Sequence, residues 1–272
     1  MVTEHFTGKS LLDQLFGLSA LGVLGEPPDP EELKAQAQNL ATSSPLLSLV
    51  GTDFLDRNGK TIHRSPGMLS GKENVGIERL MGTIETERRQ RVAMGVEAAR
   101  IVIAAEHYVP EESLLLLMLH SPFVPPELTG TYTRGFLRFL HGDFTSATYI
   151  LVPLLESSFR HVLKQVGVDV SKFYVNDATQ EDKSLSSMFE TLRDKIEGVF
   201  GKALAIDIEN VFLKHPGPRL RHNLAHGQMH DGSPYGPDAI YGCWLIFRLC
   251  VTPLHQIFDS LRESLEGTGV YN

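Results

Sequence analysis

The chain has 272 residues, a formal net charge of -8 at pH 7, 42% hydrophobic and 21% charged residues. That is the composition of a globular protein with length for one large domain or two small ones. The acidic balance excludes a surface that coats nucleic acid generally, so any nucleic-acid site must be a local basic island.

Leu11, Leu15, Leu18 and Gly22 recur at helical spacing over residues 10–22. Asp13 and Gln14 interrupt that stretch, so it reads as an amphipathic helix rather than a signal peptide. Pro27-Pro28-Asp29-Pro30 ends it, and Pro30 followed by Glu31-Glu32 opens a second helix to about Ala41. Over 52–64, Asp53-Phe54-Leu55 and Thr61-Ile62-His63 flank Asn58-Gly59, which predicts a β-hairpin. Ser65-Pro66-Gly67 then marks a linker.

Residues 74–107 read as one long helix with a buried stripe of Val92, Val96, Ala99, Ile103 and Tyr108. Glu85/Arg89 and Glu87/Arg91 are i,i+4 pairs of the supportive orientation. Arg88, Arg89 and Arg91 form a charge run that reads as a solvated helix face. Pro110 opens a helix to His120, and 121–126 is a Pro-rich break.

Two helices are expected over 127–167, meeting near Gly142-Asp143. The second carries an apolar stripe of Ala147, Ile150, Leu151, Leu154, Leu155, Phe159, Val162 and Val166, with Pro153 as a kink. Glu156 and Arg160 are i,i+4 partners on it, a spacing more often structural than catalytic. Residues 167–184 are polar and turn-rich, and helices follow at about 185–197 and 203–214. Beyond a loop at 232–237, Pro237 opens a long helix to about Glu266, kinked at Pro253. Arg248, inside that apolar helix, reads as paired or snorkelling. Its only two cysteines, Cys243 and Cys250, are the only ones in the chain, which argues for a reducing, cytoplasmic setting. No apolar run reaches the roughly 20 residues needed to cross a bilayer, so no membrane partner is expected. The expectation is a mainly α protein with one small hairpin, divided into an N-terminal segment 1–70, a helical extension 71–124 and an all-α unit 125–272.

One window stands out against the acidic background. Residues 212–230 contain Lys214, Arg219 and Arg221, no Asp or Glu, and His215, His222, His226 and His230. Pro216-Gly217-Pro218 reads as a turn launching a short helix, with Arg219 and Arg221 in its first turn and Gly227 stopping it after His226. Cations in a first turn oppose the helix dipole, and a bound anion would relieve this. A histidine ending a helix before Gly is also a common cap. His222, His226 and His230 have a spacing that suggests zinc, but Gly227 breaks the helix before His230 and no carboxylate or Cys completes a set. No metal or cofactor is expected.

Arg221-His222-Asn223-Leu224-Ala225-His226-Gly227 resembles the signature of the HEPN superfamily, all-α domains with Arg and His four to six residues apart. It is most similar to HEPN-like domains sharing Arg-Asn-x-x-x-His-Gly, whose preceding helix also resembles Gly142-Asp143 through Leu151-Val152-Pro153-Leu154-Leu155-Glu156 to Arg160. The chain departs in having His222 where Asn is usual, with Asn223 one place later. The resemblance covers about residues 125–268 and implies a HEPN-like helical bundle with an N-terminal helical extension.

The resemblance implies a metal-independent endoribonuclease in which the ribose 2′-OH attacks the phosphodiester. Such a reaction needs a proton carrier near neutrality and fixed positive charge at the phosphate, for which His and Arg are suited. Arg221 is assigned to the phosphate and His226 to proton transfer. His222 would orient RNA or His226. Arg219 also satisfies the family spacing and is a rival for the arginine role. Asn223, Lys214, Glu156 and Arg160 are auxiliary candidates. The resemblance further implies a homodimer whose motifs face each other, since one histidine does not readily supply both acid and base. The alternative is a non-catalytic RNA-binding or protein-interaction module.

Overall fold

The computed structural model describes residues 2–21, 26–49, 51–55, 59, 61–65, 67, 73–174, 179–214 and 217–267. It is a mainly α protein in which two small antiparallel hairpins are set among helices. Near the front come α1 (Val2–Phe6), α2 (Leu11–Ser19), α3 (Pro30–Ser43) and α4 (Pro45–Leu49), then β1 (Thr52–Leu55) and β2 (Thr61–Ser65). The long α5 (Glu73–Glu106) and α6 (Glu111–His120) follow, then α7 (Thr129–Leu140) and α8 (Phe144–Gln165). Strands β3 (Ser171–Tyr174) and β4 (Thr179–Asp182) lead into α9 (Leu185–Thr191), α10 (Arg193–Phe200) and α11 (Lys202–Phe212). The chain closes with α12 (Leu220–Ala225), α13 (Pro237–Val251), a 3₁₀ segment (Thr252–Ile257) and α14 (Phe258–Gly267).

Helix caps follow local chemistry. Ser10, Asp29, Asp143 and Ser184 each accept a hydrogen bond from a first-turn backbone N–H of α2, α3, α8 and α9. The Pro153 expectation and the Pro253 expectation differ in outcome. Pro153 stays within a continuous α8, whereas Pro253 falls in the 3₁₀ segment that separates α13 from α14, where the missing N–H is tolerated.

Helix α13 is the axis of the core. Every residue from Ala239 to Val251 except Arg248 is buried, the pattern of a helix surrounded by protein. It packs against α5, α8, α2 and α6, and the indole N–H of Trp244 donates to the Leu18 carbonyl at 2.8 Å. One apolar cluster runs from Phe6 through α5, α7, α8 and α13 to Leu261. Helices α1 and α2 therefore share a core with residues 125–261. A smaller cluster of Ala37, Ile77 and Leu80 joins α3 to the start of α5.

Several expectations are corrected. Arg88 and Arg89 are not on a solvated face: both are buried, and only Arg91 of the run is exposed. Glu85 pairs with Arg88 at i,i+3 rather than with Arg89, and Arg89 instead reaches Asp238 at the start of α13. Tyr108 is 86% exposed and Val109 takes its place in the core. Val166 is likewise exposed and Leu163 is buried, because the α8 stripe drifts and the helix ends at Gln165. The turn-rich 167–184 segment contains β3 and β4, paired with Ser171 opposite Asp182 and Tyr174 opposite Thr179. The front hairpin forms as expected, with Thr52 opposite Ser65 and an irregularity between Phe54 and Leu55. Gly59 has a positive φ of 79°, while Gly22, Asn58 and Pro66 lie outside the described residues.

Among the described residues, no helix is long and apolar enough to cross a membrane.

Candidate functional site

The motif sits on the six-residue α12, suspended between α11 and the start of the α13 approach. The expected turn precedes the helix, but Arg219 does not enter its first turn. Gly217 and Pro218 form a turn outside it, and Arg219 is the residue before its first turn; His215 and Pro216 lie outside the described residues. Arg219 has φ 49° and ψ 46°, the one non-glycine left-handed backbone among the described residues. Such a conformation costs on the order of 1–2 kcal/mol for an L-residue. The Arg219 Nε–H donates back to the Leu213 carbonyl at 3.3 Å, which ties the two ends of the loop together.

Two close approaches hold α12 in place. A Cβ on Gly217 would lie 1.7 Å from the Asn210 carbonyl oxygen, so the turn lies directly on α11. Leu220, the only buried residue of α12, inserts against α13, where a Cβ on Gly242 would meet its Cδ1 at 2.4 Å. Gly242→Ala should therefore push α12 outward and destabilise the protein by roughly 1–3 kcal/mol. Urea unfolding would measure it, and a change below about 0.5 kcal/mol would show that Leu220 is not the anchor.

At the other end, the His226 N–H donates to the His222 carbonyl at 3.0 Å and the Gln228 N–H to the Asn223 carbonyl at 2.7 Å. Gly227 takes φ +62°, the glycine helix stop expected from sequence. The Asn223 side chain donates to the Pro218 carbonyl at 2.9 Å, bridging the helix back to its own turn.

Arg221 is half-buried and its Nη2 donates to Glu156 Oε2 at 2.5 Å. The same carboxylate accepts from Arg160 at 3.2 Å and from the Leu185 backbone N–H at 2.9 Å. Glu156 thus joins α8, α9 and α12, elements 65 residues apart in sequence for Glu156 and Arg221. Arg160 also donates to the Lys183 carbonyl at 3.3 Å and lies 3.8 Å from Asp182. Asp182 in β4 and the N-terminus of α9 were not singled out from sequence. The β-forming Phe173-Tyr174-Val175 followed by Asn176-Asp177 is the signal that could have found this hairpin.

His222 and His226 form a ring pair with centroids 4.3 Å apart. His226 is exposed and His222 is partly covered. Burial lowers the His222 pKa below the ordinary imidazole value, and the positive charges of Arg219, His226 and Arg221 push it the same way. Two guanidinium groups are therefore felt at one imidazole. Because its folded pKa is depressed, His222 binds fewer protons in the native than in the unfolded chain, so its contribution favours folding as pH rises through that window toward 6.5 and opposes it below. An NMR titration should place the His222 midpoint under 6.5, and Arg221→Ala should move it upward. A wild-type midpoint at or above 6.5 would refute the local positive field.

Lys214 is not drawn into this cluster. Its ammonium pairs with Glu209 at 2.6 Å, a carboxylate also held by Arg193, and it lines a cavity of about 450 Å³ between α3, α5 and α11. The described cavities, of about 370–450 Å³, have neither Arg221, His222 nor His226 in their walls. The motif is a surface cluster. Among the described residues, no three His, Cys, Asp or Glu side chains converge as a metal-ligating group. No family model, curated protein or solved structure matches this chain.

Proposed function

We propose that the α12 cluster is a HEPN-type ribonuclease site that cleaves RNA by 2′-OH attack, with the Arg-His motif at a homodimer interface. The observation that supports this reading is the convergence of Arg221, Glu156, His222 and His226 from two distant stretches of chain on one accessible surface. Arg221 is aimed by Glu156, and a fixed guanidinium matches a phosphodiester's oxygens. His226 is exposed and available to carry a proton. His222, kept neutral by its surroundings, is suited to accept one. Arg160 and Asn223 act through others, holding Glu156 and the α12 turn respectively.

A pair of subunits would provide two such clusters and so an acid and a base on opposite sides of one phosphate. Cytoplasmic localisation and RNA as the partner belong to the same reading. The test is cleavage of a mixed-sequence RNA in the presence of EDTA by wild type, Arg221→Ala and His226→Ala, with light scattering on the same samples. Wild-type cleavage lost in both variants, by a dimer, supports the proposal. Equal cleavage by all three, or a monomer at micromolar concentration, counts against it.

A second reading is favoured by one observation. The charge of Arg221 is already compensated by Glu156, which weakens its hold on phosphate. Inactive wild type would identify a non-catalytic module instead: salt-dependent RNA affinity would mark an RNA-binding one, and absence of RNA affinity, the outcome a compensated Arg221 favours, a protein-interaction one.

A further inference from the structure

A groove of about 430 Å³ opens between α8, α10, α11 and the 3₁₀ segment after α13. Phe123, Val162, Phe200, Leu204, Leu249 and Pro253 form its apolar wall. Its size lies within the range of small-ligand sites. Val199, also in its wall, is 39% exposed.

One charged residue, Arg248, also lines this groove. It is the residue that interrupts the otherwise buried α13. Its Nη2 donates to Glu26 at 3.0 Å, and its guanidinium lies over the Trp244 ring at 5.8 Å. Its Nη1 is buried and has no hydrogen-bond partner among the described residues. A buried cationic donor left without an acceptor is costly, more so than a neutral one. Glu26 does not remove that cost, because it engages a single nitrogen and is itself 68% exposed. A guanidinium offers a fork that a carboxylate can fill with two parallel bonds. A ligand carboxylate that displaces Glu26 and turns the guanidinium toward the groove would fill both nitrogens, and an aliphatic tail would cover the apolar wall.

We propose that this groove binds an aliphatic monocarboxylate of medium chain length, head on Arg248 and tail along Phe123, Phe200 and Leu249. The site is separate from the α12 cluster and does not depend on the ribonuclease reading. Recognition combines a bidentate charged pair with apolar burial, and Glu26 acts as a competing internal carboxylate. This makes the effects of the two ion-pair partners opposite in sign. Removing Glu26 frees the fork and strengthens binding, whereas shortening the fork weakens it.

Trp244 is the only tryptophan in the chain and contacts Arg248, so its emission reports on the site directly. The probe is decanoate, titrated below its micellar concentration into the full chain, with 1-decanol as the uncharged control. Saturable binding is expected, roughly tenfold tighter for decanoate than for decanol. Across the series from hexanoate to decanoate, each methylene should tighten binding by roughly two- to fourfold. Glu26→Gln should tighten decanoate binding, and Arg248→Lys should weaken it roughly tenfold while leaving decanol unchanged. Decanol binding as tightly as decanoate would overturn the proposal by showing a general apolar face. Unchanged or weakened binding in Glu26→Gln would overturn it as well, and that surface variant tests the idea even if Arg248→Lys fails to fold.

Discussion

Arg88→Ala is expected to destabilise the protein by about 3–5 kcal/mol, while Arg91→Ala, three residues along the same helix, changes stability by less than about 0.5 kcal/mol. The two arginines belong to one charge run in sequence, and only their surroundings differ. Arg88 donates to Glu85 at 2.9 Å, to Asp207 at 2.7 Å and to the Tyr241 hydroxyl at 2.9 Å, all out of solvent. The Tyr241 hydroxyl in turn donates to Asp207 at 2.5 Å. Burial would lower the Arg88 pKa, but Asp207, Tyr241 and Glu85 together raise it and keep the guanidinium charged. Burial pushes the Asp207 carboxyl up, against the pull of Arg88 and the Tyr241 hydrogen bond.

Removing the guanidinium leaves two buried carboxyl groups without their cation, and the penalty is their desolvation rather than the lost attraction. A fall in Tm on the order of 10 °C follows. The same network fixes α5, α11 and α13 relative to one another, so α11, from which the α12 loop departs, should loosen first. Chemical denaturation of both variants, with hydrogen exchange on α11, measures this. Equal stability of Arg88→Ala and Arg91→Ala would mean that the network contributes nothing.

If the α12 cluster is the ribonuclease site proposed above, His226→Ala and Arg221→Ala should reduce RNA cleavage by roughly 10²–10⁴-fold and 10²–10³-fold, the ranges for a lost proton carrier and a lost electrostatic contact. Glu156→Gln separates positioning from chemistry. Glutamine retains an acceptor for the Leu185 N–H but loses the charge that holds Arg221 and Arg160. If Glu156 only aims Arg221, the variant should lower turnover less than Arg221→Ala does, and the double variant should match Arg221→Ala alone. If Glu156 instead quenches Arg221, the variant should bind RNA more tightly and lose more affinity as salt rises. Additive losses in the double variant would sink the coupling between them. The pH dependence adds an independent reading, since a base of depressed pKa works to lower pH than an ordinary histidine.

Much of the helical architecture was legible in the residues themselves. Periodicity and proline starts placed α2, α3, α5, α6 and α8 within a few residues, and the start of α13 but not its end at Val251, because apolar stripes and proline starts are local properties. Caps such as Asp29 and Asp143 and the Gly227 stop are local too. The prolines were harder: Pro153 and Pro253 look alike in sequence, and only the packing around each decides whether the helix continues. The β3–β4 hairpin was missed because its strands are four residues each and only β3, through Phe173 and Tyr174, carries β-forming aromatics.

What the amino-acid order determined alone was the mainly α class, the front hairpin, and the basic island with its Arg and His at a helix and its end. Those follow from interactions within a turn or two of chain. Tertiary structure decided which charges are buried and which partners they meet. Arg88 finds Asp207 across 119 residues, and Arg221 finds Glu156 across 65. A guanidinium reads the same in sequence whether it faces water or a buried carboxylate, since desolvation and pairing are set by elements folded over it. The left-handed Arg219 and the Arg248 nitrogen that is unpaired among the described residues likewise exist only once distant segments fix the backbone and seal the groove.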